Sequence, residues 1–172
     1  MAITRLGGAN AITGTLPAAN IDSTSLGNVD VGKVLQVVQG AELTSQTTIT
    51  STSFSDAGIS ATITPSSTSS KILISVTFHV SARDSDGSNC YVETQLLRNS
   101  SSIYKAGRGQ GYDQYYQIAG ASSIDIWSMA YFDYLDSPST TSATTYKIQG
   151  RNVSGNYFRV NAGHINLKEI AG

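Results

Sequence analysis

Two histidines, one cysteine and twelve acidic residues are the side chains from which this chain could assemble a reactive centre. His79 and His164 each fall at an outward position of an alternating segment, with no cysteine or acid at ligand spacing. A structural metal needs converging ligands, so both read as ordinary strand histidines, and no metal or cofactor is expected. Cys90, in NCYVETQLL, has no base beside it and reads as a small buried hydrophobe rather than a nucleophile. A single cysteine also rules out an intrachain disulfide. Asp84-x-Asp86-Gly87-x-Asn89 begins like a calcium loop, but Asn89 stands where the invariant glycine belongs and Gln95 where the bidentate glutamate belongs. RDSDGSN (83–89) is better read as a hairpin connection, because Asp-Gly is a strong turn signal; calcium held by another kind of surface loop is the weaker alternative. Gly107-x-Gly109-x-Gly111 lacks the strand-then-helix setting of a phosphate cradle. The many serines include no G-x-S-x-G elbow. Asn99-Ser100-Ser101 and Asn152-Val153-Ser154 match the glycosylation pattern, as a serine-rich chain does by chance. A polysaccharide-cleaving enzyme needs a placed pair of carboxylates, and none is marked by its surroundings. The reading is a non-enzymatic protein.

One segment has the chemistry of recognition. Within 107–116, Arg108, Tyr112, Asp113, Tyr115 and Tyr116 combine aromatic rings, a charge pair and glycine freedom. Tyrosine offers an apolar face and a polar tip. A subunit or intramolecular contact is the leading reading, ahead of an ordinary exposed loop and of glycan binding.

The elements that would position these residues are strands. In KILISVTFHVS (71–81), Ile72, Ile74, Val76, Phe78 and Val80 recur at every second position, the period of a strand with one buried face. Burying five such side chains at roughly 1.5–3 kcal/mol each places this strand at the centre of the core. Around it lie KVLQVVQ (33–39), a polar LTSQTTIT (43–50), ISATIT (59–64) stopped by Pro65, CYVETQLLR (90–98) and a short strand at Ile103-Tyr104. GRGQGYDQYYQIAG (107–120) looks like a long excursion. In SSIDIWSMAYFDYL (122–135), Ile124, Ile126, Ala130, Phe132 and Tyr134 alternate with Trp127, Met129 and Tyr131, which predicts cover on both faces. TTYKIQGRNV (144–153), NYFRVNAG (156–163) and HINLKEI (164–170) complete the set. No helix is predicted. Short strands separated by turns give an all-β fold, an antiparallel β-sandwich or jelly roll of about eight strands.

Composition narrows the setting. Only 13% of the 172 residues are charged, about half the usual share, so serine, threonine, asparagine and glutamine supply the polar surface. A net charge of −1 argues against nucleic-acid binding. No apolar run has transmembrane or signal-peptide length, and no basic amphipathic helix suggests membrane insertion. Synthesis and first folding in a cytoplasm are therefore expected.

Residues 1–32 differ from the rest: five glycines, one proline, and isolated aliphatics at Ile3, Leu6, Ile12, Leu16, Ile21 and Leu26 with no strand or helix period. Irregular chain of this kind becomes ordered only where something else supplies its contacts. The reading is an extended N-terminal anchoring arm (1–32) whose aliphatics dock into grooves on a partner, followed by a β-sandwich domain (33–172).

ITPSSTSSKILISV, YLDSPSTTSATTYKIQGR, the closing INLKEI and the leader MAITRLGGANAITGTLPAANI followed by GKVLQVVQ resemble small virion proteins of tailed bacteriophages, notably phages of cyanobacteria and marine bacteria. The resemblance spans most of the chain, through structural phrases rather than a chemical signature. It implies a β-sandwich that associates as a homotrimer, a knob or short fibre on the virion, contacting phage capsid or tail proteins. A capsid decoration or head fibre is slightly favoured, since one domain and one arm are too short for a long fibre. The alternative is a tail-fibre tip that recognises a host surface glycan.

Overall fold

In the computed structural model, which describes residues 33–85, 89–106, 114–117 and 124–172, ten strands form two antiparallel five-stranded sheets. They are β1 (Val34–Gln39), β2 (Thr47–Ile49), β3 (Ser55–Ile63), β4 (Lys71–Asp84), β5 (Asn89–Arg98), β6 (Ser101–Ala106), β7 (Gln114–Gln117), β8 (Ile124–Asp136), β9 (Thr144–Ser154) and β10 (Tyr157–Ile170). The front sheet runs β1-β10-β4-β8, with β2 also on β10; the back sheet runs β3-β9-β5-β6, with β7 also on β5. Setting aside the short β2 and β7, eight strands remain, in orders 1-8-3-6 and 2-7-4-5. That is the jelly-roll arrangement of two interlocked Greek keys. The all-β sandwich read from periodicity is the fold observed.

The strand over 71–81 has the predicted role. β4 lies between β10 and β8, and Ile72, Ile74, Val76, Phe78 and Val80 are at most 3% exposed. They meet Ala57, Ile59, Ala61 and Ile63 of β3, Val92 and Leu96 of β5, and Tyr146 and Ile148 of β9 in one core. Gly163 of β10 faces Phe78 across the ladder, and a Cβ there would stand 2.6 Å from Phe78 Cβ and 2.7 Å from Ile59 Cδ1. Only a glycine lets the two sheets approach at this point.

Four expectations change. Arg83–Asn89 is not a hairpin: β4 pairs with β10 and β8, β5 belongs to the other sheet, and the connection crosses between sheets. An Asp-Gly signal cannot say whether the strands on either side of it pair. The sequential hairpin is β5–β6, closed by the two residues Asn99 and Ser100, with Asn99 at φ 54°. The segments 156–163 and 164–170 form one strand, β10, with a bulge between Val160 and Ala162, since a bulge interrupts the alternation without ending the strand. The polar stretch 43–50 contributes only Thr47–Ile49 and a single bridge from Leu43 to Gly163. The excursion 107–120 returns to the sheet at β7, which pairs with the first half of β5 while β6 pairs with the second.

Two buried carboxylates fasten the sandwich. Glu169, inward on β10 and 0% exposed, accepts hydrogen bonds from Ser66 N (2.7 Å), Ser66 Oγ (2.6 Å) and Gln36 Nε2 (2.6 Å). It thereby ties β1, β10 and the β3–β4 turn together. Ser70 Oγ is also buried and close enough to stabilise the charge, although it forms no aligned hydrogen bond. Asp136, at the end of β8, accepts from Arg98 Nη1 at 3.0 and 3.1 Å and from Tyr146 Oη at 2.7 Å, joining the front sheet to β5 and β9 of the back.

Candidate interaction surface

The two outer faces of the sandwich are chemically unlike, and the difference follows from what alternates along each strand. On the back sheet the outward positions are polar and bonded to one another. Lys147 pairs with Asp56 at 2.9 Å, Gln149 Nε2 donates to Asp56 Oδ1 at 2.7 Å, and Gln95 Nε2 donates to Gln149. The hydrogen bonds from Gln149 and Lys147 hold the Asp56 carboxyl below its usual range, outweighing its partial burial. Arg151 pairs with Glu93 at 2.7 Å and lies over the Phe54 ring at 4.8 Å. Within this network Glu93 (4% exposed) and Gln95 (8%) are buried.

The front sheet presents the opposite. The inner side of β8 sends Ala130, Phe132 and Tyr134 toward the core, where Tyr104 of β6 meets both rings at 5.2 and 5.3 Å. Its outer side carries Trp127 (64% exposed), Met129 (57%), Tyr131 (82%) and Leu135 (52%). The expectation that both faces of this segment are covered is not met among the described residues. β8 is the last strand of its sheet, and no described element overlies its outer side. Single exposed apolar residues are ordinary, but a contiguous stripe marks an interaction site. His79 of β4 stacks on Trp127 with centroids 5.5 Å apart, which fixes the indole on the surface. At the opposite edge of the same sheet, β1 exposes Val34 (54%), Leu35 (47%) and Val37 (61%).

Of the residues singled out from sequence, His79 and His164 both lie on this outer face, on adjacent strands as diagonal neighbours. Among the described residues no group of three or more histidine, cysteine, aspartate or glutamate side chains gathers as a metal site would require. Tyr115 and Tyr116 lie on β7 opposite Tyr91 and Cys90; their side chains and that of Cys90 fall outside the described residues. So do Arg108, Tyr112 and Asp113, and the arm residues Ile3, Leu6, Ile12, Leu16, Ile21 and Leu26. Asn152 is buried and its Nδ2 donates to Gly155 O, which removes one of the two glycosylation matches. Asp84 is buried on β4 and Asp86 lies outside the described residues.

Sequence reasoning missed Glu169 and Asp136. Glu169 had a signal, because Ile165 and Leu167 set an inward phase that puts Glu169 on the buried side. Asp136 had none, since its partners Arg98 and Tyr146 come from the other sheet. Comparison with known proteins adds no identity: no family model matches the chain, and no curated protein sequence matches it.

Proposed function

We propose that this chain is a non-enzymatic structural protein of a bacteriophage particle. In this reading it is a trimeric knob or short fibre held to the capsid or tail through residues 1–32, with capsid decoration favoured. The observation that carries the reading is the contrast between the outer faces, one polar and internally bonded, the other apolar along both its edges. Such a surface suits assembly, and jelly rolls recur among viral capsid domains. The sequence phrases that resemble phage virion proteins point the same way. Several copies held side by side would add avidity to a weak arm contact, and binding to the assembled shell would stabilise it by mass action. Deleting residues 2–32 should abolish co-sedimentation of purified protein with particles that lack it, while the melting temperature of the β-domain stays unchanged. Undiminished co-sedimentation would remove the arm from the account.

A second reading has its own observation. Trp127 and Tyr131 present two exposed rings on one sheet face, and such rings can stack on sugars as they do on other planar partners. If the protein is a glycan-recognising tip, Trp127→Ala/Tyr131→Ala phage should lose adsorption to host cells at least tenfold with particle assembly intact. Normal adsorption by that variant rejects glycan recognition at this face.

A further inference from the structure

We propose that the front sheet is a self-association surface, in which the β8 edge of one copy seats against the β1 edge of the next. The inference rests on the self-associating part of the reading above and gives it a location and a direction.

The first argument is the state of the β8 edge. Its thirteen residues, IDIWSMAYFDYLD, hold an unbroken register with β4 and include no proline, lysine or arginine. No described strand pairs with the opposite side. Soluble proteins blunt such edges with lysine, proline, bulges or a covering element, because a long bare edge recruits another strand. Among the described side chains only Asp133 interrupts the stripe. The second argument is area. At the exposures of Trp127, Met129, Tyr131 and Leu135, and with large side chains of about 150–250 Å² each, the stripe offers on the order of 500 Å². A stable interface takes about 800 Å² from each partner, so the stripe with its rim and strand edge is of the right size for another protein surface.

The third argument names the occupant. Asp133 is exposed and makes no hydrogen bond or ion pair among the described residues; neither does Lys168. Register places Lys168 beside Val37 of β1, on the outer face, whereas Lys71, on β4 between β10 and β8, belongs to neither edge. One edge of the sheet is thus apolar with an unpaired acid, and the other is apolar with an unpaired lysine beside it. The two patches complement each other in charge. A contact between unlike patches is heterologous, and it closes into a ring when the rotation permits, as a trimer requires. A net charge of −1 opposes self-association only weakly.

The chain's single tryptophan lies within the stripe and reports on it directly. Wild-type protein should sediment as a closed three-copy ring, and on dilution the mass should fall to one copy while Trp127 emission shifts to the red. Tyr131→Glu disables the β8 patch and Val37→Glu the β1 patch, both at exposed positions, so each variant should be a folded monomer by circular dichroism. Mixed one to one, they should form a heterodimer, since each retains one working patch. If Tyr131→Glu does not fold, Met129→Lys tests the same edge. The proposal is overturned if the wild type is monomeric with a solvent-exposed indole at every concentration. It is equally overturned if either variant still assembles alone, if the mixture gives no dimer, or if Trp127 is shielded only on adding phage particles or host lipopolysaccharide. Particle co-sedimentation is scored separately. A ring that binds no particle removes the virion reading and leaves this inference standing, and a particle-binding monomer does the reverse.

Discussion

Glu169→Ala is expected to destabilise the protein by about 3–5 kcal/mol, a fall of roughly 10 °C in melting temperature. The side chain is fully covered, and its removal strands Ser66 N–H, the Ser66 hydroxyl and the Gln36 amide in a site built for a negative charge. Leaving buried donors without an acceptor costs more than the bonds are worth when made. Burial alone would raise the pKa of Glu169. Hydrogen bonds from the Ser66 hydroxyl, Gln36 and the Ser66 backbone, with the nearby Ser70 hydroxyl, outweigh that and hold it down to about 2, against an ordinary 4.5. A carboxylate with a depressed folded pKa contributes stability that is present above its unfolded value and lost as pH falls toward the folded one. The difference between wild type and Glu169→Ala should therefore be constant above about pH 5 and shrink between 4.5 and 2. Glu169→Gln keeps the shape and loses the charge, so it should fall between the two and show no such shrinkage. Denaturant melts across this pH range decide the matter. A wild-type advantage that persists unchanged at pH 2 would mean the charge is not what the serine turn is built to hold.

This fastening explains a feature of the sequence that alternation cannot. The lead-in SSTSS before β4 has the composition of a solvated turn, yet Ser66 and Ser70 serve a carboxylate that lies 103 positions after Ser66. Nothing local to either segment discloses the pairing. What was legible is what depends on neighbours in sequence. The two-residue period set β4 and its buried face, and Pro65 marked the end of β3. What was not legible depends on contacts across the fold. Which strands share a sheet decides whether Asp86-Gly87 closes a hairpin, and here they do not share one. The same gap affects the interaction surface. Trp127, Met129 and Tyr131 alternate cleanly with Phe132 and Tyr134, so the sequence identifies two apolar sides of β8. Only the strand order shows that β8 is terminal and that one of those sides is bare. An apolar pattern on both sides predicts cover from somewhere, and among the described residues that cover is missing.

Asp136→Ala is expected to cost about 3 kcal/mol, and the effect should depend on Tyr146. Asp136 is 7% exposed and accepts three hydrogen bonds at the end of β8, two from Arg98 of β5 and one from Tyr146 of β9. Arg98 remains partly in water, so the guanidinium pays a limited desolvation penalty and can return to solvent when its partner is removed. Tyr146 cannot, because its ring is fully buried in the core. Burial pushes the Tyr146 phenol far above its ordinary pKa, and the adjacent Asp136 charge reinforces the shift, so the hydroxyl remains a donor throughout the stable range. Tyr146→Phe alone removes the donor and leaves the Asp136–Arg98 pair intact, for a loss of about 1–2 kcal/mol. In the double variant no buried hydroxyl is left unpaired, so the combined loss should fall short of the sum by about 1 kcal/mol or more. Strict additivity would show that Tyr146 Oη finds another partner once the carboxylate is gone. The location sharpens the consequence. Asp136 terminates the strand that carries Trp127, Met129, Tyr131 and Leu135, and it is the charged tie from that strand to the back sheet. Losing it should free the end of β8 near Leu135, so amide exchange should rise first at Leu135–Asp136 and not at Trp127, which His79 holds from β4.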